Sequence, residues 1–230
     1  MSSPLGLPLR GYGSSGNSTI EMKTEILNAD HPIVYRHAVD ILKNGGVVAF
    51  PTDTVYGLAA LPWRDDFVER LYIVKGRGSE RAIAVLISHL SELEQIADSL
   101  NDHARILAQH FWPGPLTIVV PKRAELSRVL SPHGTVGVRM PNHPVALKLL
   151  QSAGPLAVTS ANLSGQANTT NAQEVLAQLG GRIDLIIDGG IAPGGVPSTV
   201  VDCTGEDLII LREGPISLEA MQAILSGVPD

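Results

Sequence analysis

The sequence predicts an α/β fold: a twisted sheet of mixed parallel and antiparallel strands with helices flanking it. Short apolar runs bounded by glycine or proline, such as 47–50 and 185–188, read as buried strands. Between them lie stretches whose apolar residues recur at helical spacing. The two kinds do not alternate strictly, which favours mixed strand directions over a doubly wound parallel sheet. With 230 residues, 44% of them hydrophobic and 17% charged, the chain can bury a full core and fits one domain better than two.

Taken in order, residues 1–20 are rich in Gly, Ser and Pro and bury too little apolar surface to order themselves, so they read as a flexible tail before a domain at 21–230. A helix is expected from about Asp30, with Pro32 in its first turn and Ile33, His37, Ile41 and Leu42 on one side, ending at Gly45-Gly46. A strand follows at 47–50, and the chain continues extended over 54–59 after the break at Pro51. Phe67, Leu71, Tyr72 and Val74 give a helical pattern from about Asp65 that delivers Lys75 and Arg77 into a glycine-containing loop before a strand at 82–87. Further strands are expected at 116–120, 136–139, 156–159, 185–188, 199–202 and 208–211, and helices at about 91–98, 102–111, 143–152, 171–179 and 217–225.

Composition narrows the function classes. A net charge of −6 gives no global basic footprint, so an RNA contact would need a local patch. The single cysteine, Cys203, allows no internal disulfide and no cysteine-built zinc site within one chain, which suits a reducing cytoplasm; it reads as an inert buried thiol. The seven histidines form no ligand pattern, so no protein-held metal is expected, and Mg2+ would arrive with a nucleotide. No apolar run approaches the roughly 20 residues needed to span a bilayer, and the first residues lack the basic and apolar regions of an export signal, so no membrane is expected. Phe50, Tyr56 and Trp112 read as core rather than as base-stacking aromatics.

Two short motifs carry chemistry when taken together. Lys75-Gly76-Arg77 and Ser160-Ala161-Asn162 supply cationic, hydroxyl and amide donors suited to an anion. Ser160 and Asn162, two residues apart at a strand end, can aim a hydroxyl and an amide at one phosphate or acyl group. Neither a Gly-x-x-x-x-Gly-Lys-[Ser/Thr] loop nor a Gly-x-Gly-x-x-Gly turn is present, so nucleotide binding cannot rest on those phosphate loops.

Longer words surround them: Gly45-Gly46-Val47-Val48-Ala49-Phe50-Pro51-Thr52-Asp53-Thr54-Val55-Tyr56-Gly57-Leu58, then Trp112-Pro113-Gly114-Pro115-Leu116-Thr117, Val138-Arg139-Met140-Pro141, and Ser198-Thr199 after Gly194-Gly195-Val196-Pro197. In this order they resemble the YrdC/TsaC family, the threonylcarbamoyl-AMP synthases, from about Ile33 to about Ser217. The resemblance implies a single YrdC-like domain with a concave substrate cleft. It also implies a reaction that joins L-threonine, bicarbonate and ATP into threonylcarbamoyladenylate with release of pyrophosphate, feeding threonylcarbamoyladenosine modification of tRNA. Its implied partner is a downstream tRNA threonylcarbamoyl transferase complex.

The same resemblance implies Lys75, Arg77, Ser160 and Asn162 as catalytic residues, and Thr54, Arg139, Val158 and Ser198 as a threonine site. Arg81, Thr117, Asn168 and Arg212, with Lys75, Arg77 and Ser160, would contact the nucleotide. The chain departs from the family pattern after Lys75, where Gly78, Arg81 and Ala82 stand in place of proline, Asn or Lys, and proline, and at Leu86, where many relatives carry a histidine that contacts threonine. The short stretch after Ser217 corresponds to the single-domain type. Two other readings remain at this point. One is a carbamoyl-adenylate module of the hydrogenase-maturation kind, whose usual zinc-finger cysteine pairs this chain lacks. The other is an RNA-binding or ribosome-assembly factor that grips tRNA or double-stranded RNA through the cleft's cations without turnover.

Overall fold

The computed structural model describes residues 23–76, 78 and 81–227. The expected tail at 1–20 and the candidate Arg77 lie outside the described residues.

Among the described residues ten strands form one sheet: β1 (Glu25–Asn28), β2 (Val48–Pro51), β3 (Tyr56–Ala60), β4 (Ala84–Leu86), β5 (Leu116–Pro121), β6 (Thr135–Arg139), β7 (Leu156–Ser160), β8 (Leu185–Asp188), β9 (Thr199–Asp202) and β10 (Ile209–Arg212). Their spatial order is β1-β8-β2-β3-β7-β4-β6-β5-β9-β10. Directions are mixed as expected. The pairs β1/β8, β2/β8, β4/β6 and β5/β9 are parallel, and β2/β3, β3/β7, β4/β7, β5/β6 and β9/β10 antiparallel. Among the described residues seven α-helices accompany the sheet: α1 (Val34–Lys43), α2 (Asp65–Lys75), α3 (Leu93–Ile96), α4 (Asp102–Phe111), α5 (Pro144–Ala153), α6 (Ala172–Leu179) and α7 (Leu218–Leu225). Polar N-caps start three of them: Asn101, Asn171 and Ser217 accept from the backbone N–H of Ala104, Glu174 and Ala220.

Side chains alternate across strands, and the two faces of the sheet have separate cores. On one face Tyr56, Leu58, Val85, Ile118, Val138 and Val201 pack with residues of α2, α4, α6 and α7. On the other, Val48, Phe50, Ala59, Leu86, Val158 and Ile187 pack with Val34, Ala38 and Leu42 of α1 and Val145, Ala146 and Leu149 of α5. These two helices lie toward the β1 end of the sheet. The same face of β5, β6, β9 and β10 is left as the floor of a cleft, which is how the fold makes room for a ligand.

Several expectations need correction. The α1 helix begins at Val34 rather than near Asp30, leaving Pro32 in the preceding turn. Its inward stripe is Val34, Ala38 and Leu42, one position round from the expected side; Ile33 is 43% exposed, and His37 faces outward to bond Glu25. Small Ala38 on that stripe lets the helix lie close to its neighbours. The break expected at Pro51 is a reversal of the chain over Thr52–Val55, and the extended stretch expected over 54–59 is β3, which begins at Tyr56 and returns antiparallel to β2. The expected helix at 91–98 is a 3-10 turn, Leu90–Glu92, followed by the single-turn α3, and the strand at 82–87 is only Ala84–Leu86. Strand β1 was not expected from the sequence; it lies at the sheet edge with Ile26 40% exposed, so no apolar run announces it.

Candidate functional site

The cleft has a cavity of about 290 Å³. Its floor takes alternate residues from successive strands: Gly57, Val158 and Ser160, Ala84 and Leu86, Gly137 and Arg139, Thr117 and Val119, Val200, and Leu211. Thr54, Asn168, Ser198 and Arg212 complete its walls. Eight of the residues expected at a site therefore meet in one place: Thr54, Thr117, Arg139, Val158, Ser160, Asn168, Ser198 and Arg212.

Arg139, at the end of β6, is 5% exposed. Its Nε donates to the Gly114 carbonyl at 3.0 Å, one terminal nitrogen to Thr54 Oγ1 at 3.0 Å, and the other to Asp53 Oδ1 at 2.5 Å. Burial pushes its pKa down, and the attraction and hydrogen bond of Asp53 push back. Of a guanidinium's five N–H donors three are engaged, so one remains on each terminal nitrogen, the spacing that a carboxylate can bridge.

The turn at Thr52–Val55 fixes this end. The Thr52 hydroxyl donates to the Val55 carbonyl at 2.7 Å, and Thr52 Oγ1 accepts from the Thr54 N–H at 3.2 Å. Thr52 Oγ1 also lies 3.0 Å from Thr54 Oγ1. Since Thr52 has spent its one proton, Thr54 must donate across that contact. Thr54 Oγ1 thus donates to Thr52, accepts from Arg139, and keeps one lone pair for a ligand N–H or O–H. Gly194 seals the turn from above: a Cβ there would lie 2.6 Å from the Asp53 carbonyl oxygen, so only glycine permits the approach. The same loop is pinned by Tyr56, whose hydroxyl donates to the Gly190 carbonyl at 2.7 Å and is held protonated by burial, which pushes its pKa up to about 12.

Across the floor, Thr117 Oγ1 and Ser198 Oγ are 2.8 Å apart, and Arg212 donates to the Ser198 carbonyl and to Ser198 Oγ, both at 3.0 Å. Whichever hydroxyl donates to the other, the pair keeps one proton for a ligand.

Ser160 lines the cleft at the end of β7, while Lys75 and Asn162 lie beneath it. Lys75 is 3% exposed; its ammonium donates to the Ser160 carbonyl, to the Asn162 carbonyl at 2.6 Å, and to Asn162 Oδ1 at 3.3 Å, and it lies 3.5 Å from Ser160 Oγ. The main chain adds a second tie, Ser164 N–H to the Lys75 carbonyl at 2.9 Å. Asn162 commits both amide protons to its own turn, at the carbonyls of Leu163 and Gln166. In this arrangement the cation sits under the serine rather than in the open cleft, and the asparagine amide shapes the turn instead of pointing at a ligand. Arg81 is exposed in the loop before β4, where the next residues, Ala82 and Ile83, line the cleft.

Residues 40–214 match the profile of the Sua5/YciO/YrdC family, described as "Telomere recombination". The chain belongs to the Sua5/YciO/YrdC family. It is 40% identical over 195 residues to the threonylcarbamoyl-AMP synthase of Pyrococcus abyssi, covering 84% of this chain and 57% of that one. It is 39% identical over 208 residues to the threonylcarbamoyl-AMP synthase of Bacillus subtilis, covering 89% and 60%. It thus spans about three-fifths of the length of these curated relatives. The crystal structure of P. abyssi Sua5 complexed with L-threonine superposes with a TM-score of 0.85 at 39% identity, over 88% of this chain and 61% of that one.

Sequence reasoning in this Sua5/YciO/YrdC member missed Asp53 as the counter-ion of Arg139, and Thr52 as the residue that sets the proton direction at Thr54. Both stand in the quoted word around Pro51, but only the reversal of the chain shows what they face. Among the described residues no group of three or more His, Cys, Asp or Glu side chains is placed to hold a metal ion, and no helix is long and apolar enough to cross a membrane.

Proposed function

We propose that this chain forms L-threonylcarbamoyladenylate and pyrophosphate from L-threonine, bicarbonate and ATP. The observation that carries the reading is the division of one cleft into two ends. Buried Arg139 and Thr54 offer paired N–H donors and a lone pair, a set suited to an α-carboxylate and its neighbouring nitrogen. Ser160 above buried Lys75, with Asn168, offers hydroxyl, cationic and amide groups suited to phosphate oxygens.

In the proposed reaction the neutral threonine amine adds to carbon dioxide, in equilibrium with bicarbonate, and loses a proton to give a carbamate. A carbamate oxygen then attacks the α-phosphorus of ATP, and the bond to the β-phosphate oxygen breaks to release pyrophosphate. Such a displacement depends on alignment and charge neutralisation, so the protein needs donors rather than a nucleophile. Cys203 fits that absence of covalent chemistry: it is 2% exposed, and burial holds its thiol protonated, with a pKa pushed up to about 12. Lys75 holds the Ser160 and Asn162 carbonyls and so sets the direction of the Ser160 hydroxyl while placing positive charge below it.

The cleft offers cations and hydroxyls in place of a carboxylate cage, so Mg2+ would be carried by the ATP phosphates and would supply charge neutralisation there. The product is a reactive adenylate, and we place its use in threonylcarbamoyladenosine formation on tRNA, by a downstream transferase complex in the cytoplasm. The test is pyrophosphate release with L-threonine, bicarbonate and ATP, each omitted in turn. Release that requires all three supports the reading. Release indifferent to every amino acid overturns it.

A further inference from the structure

Three segments meet behind the cleft wall, and a closed ring of hydrogen bonds joins them. The Ala161 N–H donates to the Tyr56 carbonyl at 2.8 Å, the Tyr56 N–H to the Thr169 carbonyl at 2.9 Å, and the Thr169 hydroxyl to the Ala161 carbonyl at 2.9 Å. Two of these bonds run between main-chain groups and depend on no particular side chain. The third needs a hydroxyl. Thr169 and Ala161 are both 0% exposed, so solvent cannot reach the carbonyl to replace that donor.

The ring's neighbours in sequence are groups of the site. Thr54 lies two residues before Tyr56, Ser160 and Asn162 flank Ala161, and Asn168 immediately precedes Thr169. The turn from Asn162 to Thr169 has further holds. The Asn162 amide donates to the Leu163 and Gln166 carbonyls, and Gln178 of α6 accepts from the Leu163 N–H at 2.9 Å and donates to the Ala167 carbonyl at 3.1 Å. Those bonds shape the turn within itself and fasten it to α6. The Thr169 hydroxyl instead ties the far end of the turn to the main chain beside Ser160, and so fixes where Asn168 enters the cleft relative to Ser160. Thr54 does not depend on this tie, since Thr52 and Arg139 hold it from the other side.

Resting on the two-ended cleft proposed above, we infer that Thr169 is a positioning residue for the nucleotide end: its hydroxyl sets the spacing of Asn168 from Ser160, and its loss is felt by ATP rather than by threonine. Groups that must converge on one ligand are sensitive to such a shift, and a displacement of about 1 Å can cost on the order of 100-fold in rate.

The test is steady-state pyrophosphate release by the full chain and by Thr169→Val and Thr169→Ser, with ATP and L-threonine varied in turn and the folding of each variant checked by circular dichroism. Thr169→Val keeps the shape of the side chain and removes the donor. It is expected to raise KM for ATP about tenfold while KM for threonine stays within about twofold. Thr169→Ser, which keeps the hydroxyl, is expected to stay within about threefold of the wild type for both substrates. Should Thr169→Val not fold, Thr169→Ala, which removes the hydroxyl without placing a methyl group against the carbonyl, carries the same expectation. A fall in kcat with both KM values unchanged, a rise in KM for threonine equal to that for ATP, a loss that serine does not restore, or no loss at all overturns the inference and leaves the proposed function standing. Wild-type protein that releases no pyrophosphate with all three substrates overturns the proposed function, and the inference with it.

Discussion

Replacing Asp53 with alanine isolates the charge on which the amino-acid end is built. The Arg139 and Asp53 side chains are 7% and 12% exposed and meet at 2.5 Å. Removing one partner of a buried pair costs more than the pair contributes, because a guanidinium is left without an anion; about 3–5 kcal/mol is the usual size. For a protein of this length 1 kcal/mol corresponds to roughly 2–4 °C in melting temperature, so Asp53→Ala should melt about 6–20 °C below the wild type. Asp53→Asn, which keeps an acceptor oxygen, should fall between them. Acetate, small enough to enter beside Arg139, should recover part of the loss in Asp53→Ala and raise the wild type less, since Asp53 already neutralises the guanidinium there. Differential scanning calorimetry with and without acetate reads all of these. A loss below about 2 °C would show that Arg139 does not depend on Asp53 and would remove the electrostatic basis for its orientation.

Gly57→Ala and Gly137→Ala would place methyl groups on the cleft floor 2.8 Å from Val158 Cγ1 and 2.9 Å from Thr117 Cγ2. Each should cost about 1–3 kcal/mol of stability as overpacking, read by urea unfolding; no loss in either variant would contradict the close packing of the cleft floor. His143 should make stability fall in acid. Its Nδ1 is buried without a partner, and burial lowers its pKa against the attraction of Asp53, so the unfolded chain takes up the proton first. That contribution is complete above the unfolded value of about 6.5 and is lost as pH falls through the depressed folded value, so His143→Gln should flatten the stability profile on the acid side of that value. Cys203, 2% exposed with its thiol pushed up to about 12, should resist a thiol reagent at pH 8 until the protein is unfolded in urea; modification of the native protein at a free-thiol rate would contradict its placement.

Particular elements show how far the sequence could be read. The limits of β8 and β9 agree with the runs at 185–188 and 199–202, and α4 with 102–111, because each is an apolar pattern closed by polar, glycine or proline residues. The edge strand β1 carries no such pattern, since one side of an edge needs no burial. On α1 the residue types allowed two neighbouring stripes, and only the close approach to α5 and the sheet selects the one with Ala38. At the site, the residues that line the cleft were legible as words, but their roles in the network were not. Lys75 is 85 residues from Ser160 in sequence, and the carbonyls that draw its ammonium under β7 become neighbours only when α2 packs on the sheet. Asp53 was passed over for a similar reason: its partner lies 86 residues away.

The central claim is that one cleft holds an amino acid at the Arg139 end and a nucleotide at the Ser160 end. The most direct measurement is the pair of Michaelis constants for L-threonine and ATP in Arg139→Lys and Ser160→Ala, followed by pyrophosphate release in folded protein. The account predicts that Arg139→Lys, which loses the planar fork, raises the constant for threonine by at least about tenfold and leaves that for ATP within about twofold, while Ser160→Ala acts on ATP and on turnover. Equal effects of both substitutions on both substrates would contradict a cleft with two distinct ends.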